Sequence, residues 1–152
     1  ADAPGKEDDL TTVPLQGRDG ELLDKMLHAI NLSRDTVYLT TLAKCFPGAE
    51  ARPGENEIKT CLPFLFLQIE IICPHVICAM GTQSSQILLN SRRSLFQLRG
   101  RFHNFNDLCS DELADKIVLM PSLHPSILLG NPELKKASWK DLQLIQKKLE
   151  GK

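Results

Sequence analysis

The chain has 152 residues, 18 of them Lys or Arg and 19 Asp or Glu, and 42% are hydrophobic. This balance is typical of one folded domain and excludes disordered and collagen-like chains. The net charge of −1 argues against a protein that coats nucleic acid through bulk charge. Two prolines and three polar side chains interrupt the most apolar stretch, residues 61–81, so we expect no membrane helix. The first residues carry no secretion signal, which favours an intracellular, cytoplasmic location.

Hydrophobic periodicity and turn residues predict alternating helices and strands. The predicted elements in chain order are a helix at about 20–31, a strand at 36–41, a long buried helix at 55–72 with Pro63 inside it, a strand at 76–80, a helix at about 82–89, an irregular region at 91–116 with a short strand at 95–98, a strand at 117–120, and a helix that starts at 131. This alternation is typical of βαβ crossovers. The predicted class is therefore α/β, a three-layer α/β/α fold with a mostly parallel central sheet.

Ligands of open α/β sheets bind beyond the carboxyl ends of the strands. This rule selects residues 41–45, 81–85 and 122–126, because each segment directly follows a predicted strand. A fourth segment, residues 2–5, has the composition of a loop between a strand and a helix. Its strand would lie before residue 1, so we expect the fold to include an earlier strand.

Two side chains in these segments have chemical potential. His124 precedes a proline, which fixes its backbone, so its imidazole could donate to a developing anion or simply bond its own turn. Asp2 could orient a water or stabilise an oxocarbenium-like sugar, or it could cap a helix. From the residues alone, both alternatives stay open.

Arginines and cysteines are distributed unevenly. Arg92, Arg93, Arg99 and Arg101 fall within ten residues without an acid among them, which is either a positive binding patch or a solvated loop. The five cysteines are an odd number, and thiols in a reducing compartment stay free unless they bind metal or react. A disulfide framework is therefore not expected.

In order and spacing, these segments resemble the family 4 uracil-DNA glycosylases, the thermostable iron–sulfur type. The motifs that carry the resemblance are Asp2-Ala3-Pro4-Gly5, residues 17–24, Val37-Tyr38, Lys44-Cys45, the helix around Cys61, Gln68-Ile69-Glu70, residues 76–81, residues 98–102, residues 124–129, Asn131-Pro132 and Asp141-Leu142. Most of the chain is covered.

The resemblance implies a monomeric DNA-repair enzyme that hydrolyses the N-glycosidic bond of a flipped uracil, or a related deaminated base, in DNA. Asp2 would position the water or stabilise charge on the sugar, and His124 would hydrogen-bond uracil O2 as the base leaves. Residues expected to contact DNA are Gly81, Thr82 and Ser84, which would hold a phosphate, and Ser126, Ile127 and Leu128, which would enter the gap left by the base. Such an enzyme would associate with the nucleoid while it acts.

The resemblance also gives two cysteines a role. Cys45 and Cys61 match two of the four ligands of a 4Fe-4S cluster, which requires four thiolates. The other pair would come from a Cys-x-x-Cys segment upstream of Asp2. Cys73, Cys78 and Cys109 fall outside this pattern. The expected organisation is therefore one glycosylase-like domain, residues 1–152, without its N-terminal strand and Cys-x-x-Cys segment.

The implied base pocket contains Ala3, Pro4, Gly5, Leu15 and Thr41, and two of these residues depart from the family pattern. Thr41 stands where the family reads uracil with an asparagine amide, and Leu15 stands where a phenylalanine stacks on the base. An alternative is therefore a weak or inert relative that retains DNA or protein binding. A third, an unrelated nucleotide-binding domain, is disfavoured because no Gly-x-Gly-x-x-Gly or Walker motif is present.

Overall fold

Helices pack on both faces of a small central sheet in this computed structural model, which describes residues 1–48, 52–105 and 117–151. The helices are α1 (Lys6–Thr11), α2 (Gly17–His28), α3 (Glu55–Ile72), α4 (Thr82–Leu88), α5 (Leu95–Leu98), α6 (Pro125–Gly130) and α7 (Lys135–Glu150), and a 3₁₀ turn (Pro132–Leu134) precedes α7. The strands are β1 (Val76–Met80), β2 (His103–Asn104) and β3 (Val118–Ser122).

The sheet has the strand order β1-β3-β2. β1 and β3 are parallel, from Val76 opposite Val118 to Met80 opposite Ser122, whereas the short β2 is antiparallel to β3. Parallel strands need a crossover connection, and here it includes α4 and α5. The parallel pairing agrees with the prediction, and both strands end at the same edge of the sheet.

Neighbouring residues of the strands point to two separate cores. Met80 and Met120 join a cluster with side chains of α2, α6 and α7, whereas Ala79 and Leu119 join a second cluster with side chains of α3 and α4. Successive strand residues point to opposite faces of a sheet, so the two clusters lie on its two sides. The α/β/α layering predicted from the sequence is confirmed.

Several predicted elements form where expected. The helix predicted at 55–72 begins at Glu55 and ends at Ile72, and Cys73 takes a left-handed φ of 47° before Pro74. The prediction that this helix is largely buried is wrong, because only one face packs in the core and Phe64, Leu67 and Ile71 are exposed. Glu57 accepts the N–H of Gly54 at 2.6 Å, which satisfies a free donor at the helix start. The strand predicted at 76–80 has the same bounds in the structure.

Two predicted strands are wrong. Residues 36–41 form no strand; instead the N–H groups of Leu42 and Ala43, just after them, bond the carbonyls of Ala1 and Asp2 at 3.0 and 3.1 Å. Residues 95–98 form helix α5, because Leu95 and Leu98 are buried three residues apart and Ser94 and Gln97 form a capping box. The short helices α1 and α6 were not predicted.

One edge of β1 faces a cavity of about 510 Å³, lined mostly by apolar side chains of β1, α2, α3 and α7. Within the described residues, β1 pairs with β3 alone. The strand expected before residue 1 remains a prediction. Among the described helices, none combines the length and apolar character needed to span a membrane.

Candidate functional site

The carboxyl ends of β1 and β3 are joined directly. Gly81, which follows β1, donates its N–H to the carbonyl of Ser122 at 3.0 Å. Ser122 is the last residue of β3, and His124 lies two residues further along the chain. The segments at 81–85 and 122–126, which the sequence selected separately, therefore lie side by side.

Asp2 is seated against this junction. Its Oδ1 accepts the N–H of Ser84 at 2.7 Å, and its backbone carbonyl accepts the N–H of Ala43. Gly81 has a φ of +129°, and a Cβ on it would lie 2.8 Å from Oδ1 of Asp2. Glycine is therefore required at position 81 both by its backbone and by the close carboxylate. In the described part of the chain, Oδ2 of Asp2 accepts no hydrogen bond.

His124 presents one nitrogen to its own turn. As the N-cap of α6, its Nδ1 accepts the N–H of Ser126 at 3.2 Å, and the Ser126 hydroxyl lies 2.8 Å from the same nitrogen. A backbone amide can only donate, so Nδ1 carries no proton and Nε2–H is the donor of the neutral ring. The imidazole thus bonds its own turn and still keeps a donor.

Burial lowers the pKa of His124 below its ordinary value, while the carboxylates of Asp19, Asp2 and Asp8 act in the opposite direction. The ring is therefore neutral at pH 7. Asp2 bonds Ser84 of the turn after β1, and His124 lies two residues after Ser122, to which Gly81 of that turn is bonded. The two groups that the sequence singled out lie at one edge of the sheet.

The segment around residue 15 is fixed by polar side chains that sequence reasoning missed. Asp8 accepts the N–H groups of Gly5 at 2.9 Å and Gln16 at 2.6 Å. Arg34 donates to the carbonyls of Pro14 and Leu15 and forms an ion pair with Asp24. These side chains come from distant positions, and no local motif marks them.

Leu15 lies in the core, where it is 7% exposed and packs in the cluster with α2 and α7. Its φ of 56° is in the left-handed region, an uncommon conformation that the hydrogen bonds from Arg34 to its loop hold in place. Its side chain also lines the cavity beside β1, and its predicted contact with the base stays a prediction.

Thr41 is buried, and its hydroxyl donates to the carbonyl of Ala43 at 2.6 Å. Its only proton is therefore committed within its own loop. The remaining residues of the implied pocket are more accessible: Ala3 and Pro4 are half-buried and Gly5 is exposed.

Two of the residues predicted to contact DNA, Ser84 and Leu128, are buried in the structure, and their contacts with DNA stay a prediction. Ser84 is 2% exposed; its N–H bonds Asp2 and its hydroxyl lies 3.3 Å from the carbonyl of Gly81, so neither is free for a phosphate. Leu128 is 1% exposed and packs in the core cluster. Gly81 is also buried. Among the predicted contacts, Thr82 and Ile127 are partly accessible, and Ser126 is exposed.

A buried ion pair supports the end of β3. Asp141 of α7 has no solvent exposure and accepts two bonds from Arg99, at 2.9 and 3.1 Å, and one from the Ser122 hydroxyl at 2.9 Å. Arg99 also donates to the carbonyl of Ala137. The network therefore links three elements at the residue that leads to His124, and it removes Arg99 from the exposed arginine patch.

Cys61 and Cys45 lie at one corner of the fold. Cys61 Sγ accepts the N–H of Lys44, the residue before Cys45, at 3.4 Å. Lys44 Nζ is held by Thr40, Thr41 and Gln68, and burial lowers its pKa. The described residues contain no group of three or more His, Cys, Asp or Glu side chains that could hold a metal ion.

Among the described residues, Cys73 and Cys78 form no metal-binding group with this pair. Burial raises the pKa of the Cys78 thiol to about 12, so it is an inert core residue. Cys73 is exposed at the end of α3. Cys109 lies outside the described residues.

Comparison with known proteins extends this picture. The chain matches the family described as the Uracil DNA glycosylase superfamily over residues 1–143. It is 34% identical over 156 residues to the type-4 uracil-DNA glycosylase of Saccharolobus solfataricus, covering 99% of this chain and 70% of that protein. The corresponding enzyme of Thermotoga maritima is 35% identical over 145 residues, covering 93% of this chain and 71% of its own length. For that of Sulfurisphaera tokodaii, the identity is 32% over 150 residues, with 95% and 66% covered.

The matched residues include β1, β3, the Asp2 loop and the His124 turn, which together build the edge described above. The match also agrees with the α/β/α layering of the sheet and its helices. The chain belongs to the uracil-DNA glycosylase superfamily.

Proposed function

We propose that this protein is a DNA glycosylase that hydrolyses the bond between uracil, or a related deaminated base, and its deoxyribose. The observation that carries the proposal is that Asp2 bonds the turn after β1, which the Gly81–Ser122 hydrogen bond joins to the segment that carries His124. Type-4 uracil-DNA glycosylases that are 32–35% identical to this chain support the same activity. The chain spans 66–71% of their lengths.

The bond that breaks joins the sugar C1′ to the base nitrogen, and its electron pair leaves with the base. A neutral His124 donates Nε2–H to the base oxygen on which negative charge develops. Such a donor is pre-positioned because Nδ1 is held by the turn of Ser126. The neutral ring is the suitable form here. Its Nε2–H can stabilise the negative charge on the departing base, and the ring does not have to lose a proton first.

Asp2 acts on the sugar side of the same bond. Its Oδ1 is fixed by the N–H of Ser84, so Oδ2 is the atom that orients the attacking water or stabilises the positive charge developing on the sugar. The water oxygen bonds to C1′, and its proton passes to the Asp2 carboxylate or to the departing base anion. The base must first leave the duplex, which costs a few kcal/mol and is easiest in single-stranded or mispaired DNA. We therefore expect faster excision from single-stranded than from well-paired substrates.

The experiment is excision from oligonucleotides that carry uracil, hypoxanthine or xanthine, followed by cleavage at abasic sites. His124→Ala should lower kcat by about 10²–10³-fold, the effect of removing one such donor. His75→Ala is the matched control, since His75 is exposed and precedes the opposite end of β1. Full activity in His124→Ala would exclude the proposed role, and no excision by the unmodified protein would favour an inert relative.

Thr41, which stands where the family has an asparagine, affects which base the pocket prefers. The Thr41 hydroxyl donates to the carbonyl of Ala43, so Thr41 does not offer the paired donor and acceptor that would separate uracil from cytosine. By analogy with bidentate base reading, we expect discrimination to be weaker by about 1–3 kcal/mol than an asparagine would give. Thr41→Asn should therefore increase the preference for uracil over cytosine, measured with matched oligonucleotides that carry either base.

We propose that Cys45 and Cys61 are two of four thiolate ligands of a 4Fe-4S cluster, with two further thiolates from outside the described residues. The support is their shared corner and the N–H that Cys61 accepts, as ligating sulfurs commonly do. Iron content and near-visible absorbance of the purified protein test this. Cys61→Ser should abolish both, whereas Cys73→Ser should not, and a colourless iron-free protein would remove both residues from the ligand set.

DNA is the proposed partner, and we propose that the protein binds it as a monomer and associates with the nucleoid while acting. Sedimentation of the free protein and of its DNA complex measures the stoichiometry. A stable dimer without DNA would contradict the monomer.

A further inference from the structure

A surface groove of about 540 Å³ lies beside the candidate site, between α4, the segment before α5, and α6. Two of the residues that line the groove are adjacent in sequence to residues of the candidate site. Thr82 follows Gly81, and Leu123 precedes His124. Any chain that occupies this groove would therefore pass directly next to the turn that binds Asp2 and next to His124.

The chemistry of the groove is selective. Its lining includes one charged residue, Arg92, and no acid among the described residues. Its rim offers neutral hydrogen-bonding side chains, Thr82, Gln86 and Asn131, while Leu123 on its floor is fully buried. Phe96 lies in the same groove with 62% of its surface exposed, which is unusual for so large an apolar ring.

The segment that carries Arg92 is held in place from both sides. Gln86 donates its side-chain amide to the carbonyl of Arg93 at 3.0 Å, and the N–H of Arg93 bonds the Ser91 hydroxyl at 3.2 Å. Ser94 caps α5 and so fixes the start of the helix that presents Phe96. Arg92 thus stands on an ordered backbone, and the structure records no ion pair for it among the described residues.

From these observations we propose that the groove binds the DNA strand that flanks the target nucleotide, with Arg92 paired to a phosphate and Phe96 stacked on a neighbouring base. The proposal rests on the proposed function and names a further part of its binding surface. A positive, acid-free lining favours a polyanion, and an exposed ring beside it favours bases, whose aromatic faces can stack on it, over the carboxylates of an acidic peptide, which have no aromatic face. Of the four arginines in the patch, this assigns Arg92 to DNA, whereas Arg99 is structural.

The test is binding of a fluorescent single-stranded oligonucleotide, without uracil, by the full chain at several salt concentrations. Phe96→Ala should raise Kd about 5- to 150-fold, the usual range for losing one stacked base. Arg92→Ala should weaken binding and reduce the slope of log Kd against log salt by about 0.7, the value for one phosphate contact on a single strand. Both side chains are on the surface, so folding is not at risk.

Matched controls come from the same chain. Arg93→Ala removes a neighbouring exposed arginine outside the groove, and Phe64→Ala removes a ring on α3 that is 61% exposed. Both should bind as the unmodified protein does. Equal affinities for Arg92→Ala and Arg93→Ala, and for Phe96→Ala and Phe64→Ala, would overturn the groove proposal.

Failure of this proposal can be separated from failure of the proposed function. If the unmodified protein excises uracil while Arg92→Ala and Phe96→Ala bind DNA normally, the proposed function stands and the groove proposal is refuted. If the protein binds a poly-glutamate peptide but no DNA, both proposals are refuted.

Discussion

Gly81→Ala is the sharpest test of the position of the Asp2 carboxylate, which lies against Gly81. The added Cβ would lie 2.8 Å from Oδ1 and 3.0 Å from Oδ2 of Asp2, well inside ordinary contact distance. The φ of +129° also lies in a region that is essentially confined to glycine and costs about 1–3 kcal/mol for other residues. To relieve the contact, the Asp2 carboxylate must move, which breaks its 2.7 Å bond from Ser84.

The expected magnitude follows from these two costs. A hydrogen bond to a charged acceptor contributes about 1.5–3 kcal/mol, so strain and the lost bond together destabilise the fold by about 2.5–6 kcal/mol. A displacement of Asp2 by about 1 Å should also lower kcat by about 10²-fold. Urea unfolding and uracil excision measure the two effects separately.

Two glycine controls separate the causes. Gly100→Ala meets a positive φ of 81° but has no atom within 4 Å of its Cβ, so it should show strain without loss of kcat. Gly130→Ala has neither feature and should resemble the unmodified protein. If Gly81→Ala loses no more activity than Gly100→Ala, the close seat of Asp2 against Gly81 is wrong.

Two further predictions concern the groups around His124. Asp141→Ala leaves the guanidinium of Arg99, whose side chain is 14% exposed, without its partner, and should cost about 3–5 kcal/mol in urea unfolding, whereas Arg99→Met combined with Asp141→Leu should cost less. A loss below about 1 kcal/mol for Asp141→Ala would contradict the buried pair. Because burial lowers the pKa of His124 from 6.5, the unfolded chain binds more protons below that pH, and stability should fall from about pH 7.5 to about pH 5.5. Between the two pH values, the free energy of unfolding should fall less in His124→Gln than in the unmodified protein. An equal fall in both proteins would refute the lowered pKa of His124.

Much of the fold follows from local sequence. Helix α3 has both its ends marked, by Gly54 with Glu57 at the start and Pro74 after the end, so its bounds could be predicted. The strand at 36–41 could not be judged in this way, because a strand forms only with a partner, and its β-branched run does not show whether one is present. Leu95 and Leu98 fit helical spacing, but four residues are too few for periodicity to decide.

Parts of the candidate site could also be predicted from local sequence, whereas the parts that depend on long-range contacts could not. The rule that ligands lie beyond strand ends placed Gly81 and His124 together without reference to any relative. The contact from Asp2 to Ser84 spans 82 positions, so no local pattern could show that a carboxylate occupies the amide predicted to hold a phosphate. Burial of Leu128 depends on how α6 packs in the core. The sequence of this short helix does not show that Leu128 is buried while its neighbour Leu129 is exposed.

A crystal structure of the protein with DNA that contains 2′-fluoro-2′-deoxyuridine, whose glycosidic bond resists cleavage, tests the central claim most directly. The account predicts an everted uracil with Nε2 of His124 about 2.6–3.2 Å from its O2 and the Asp2 carboxylate facing the sugar on the other side of the bond. A base bound at another surface, or one that only one of these two side chains reaches, would contradict it.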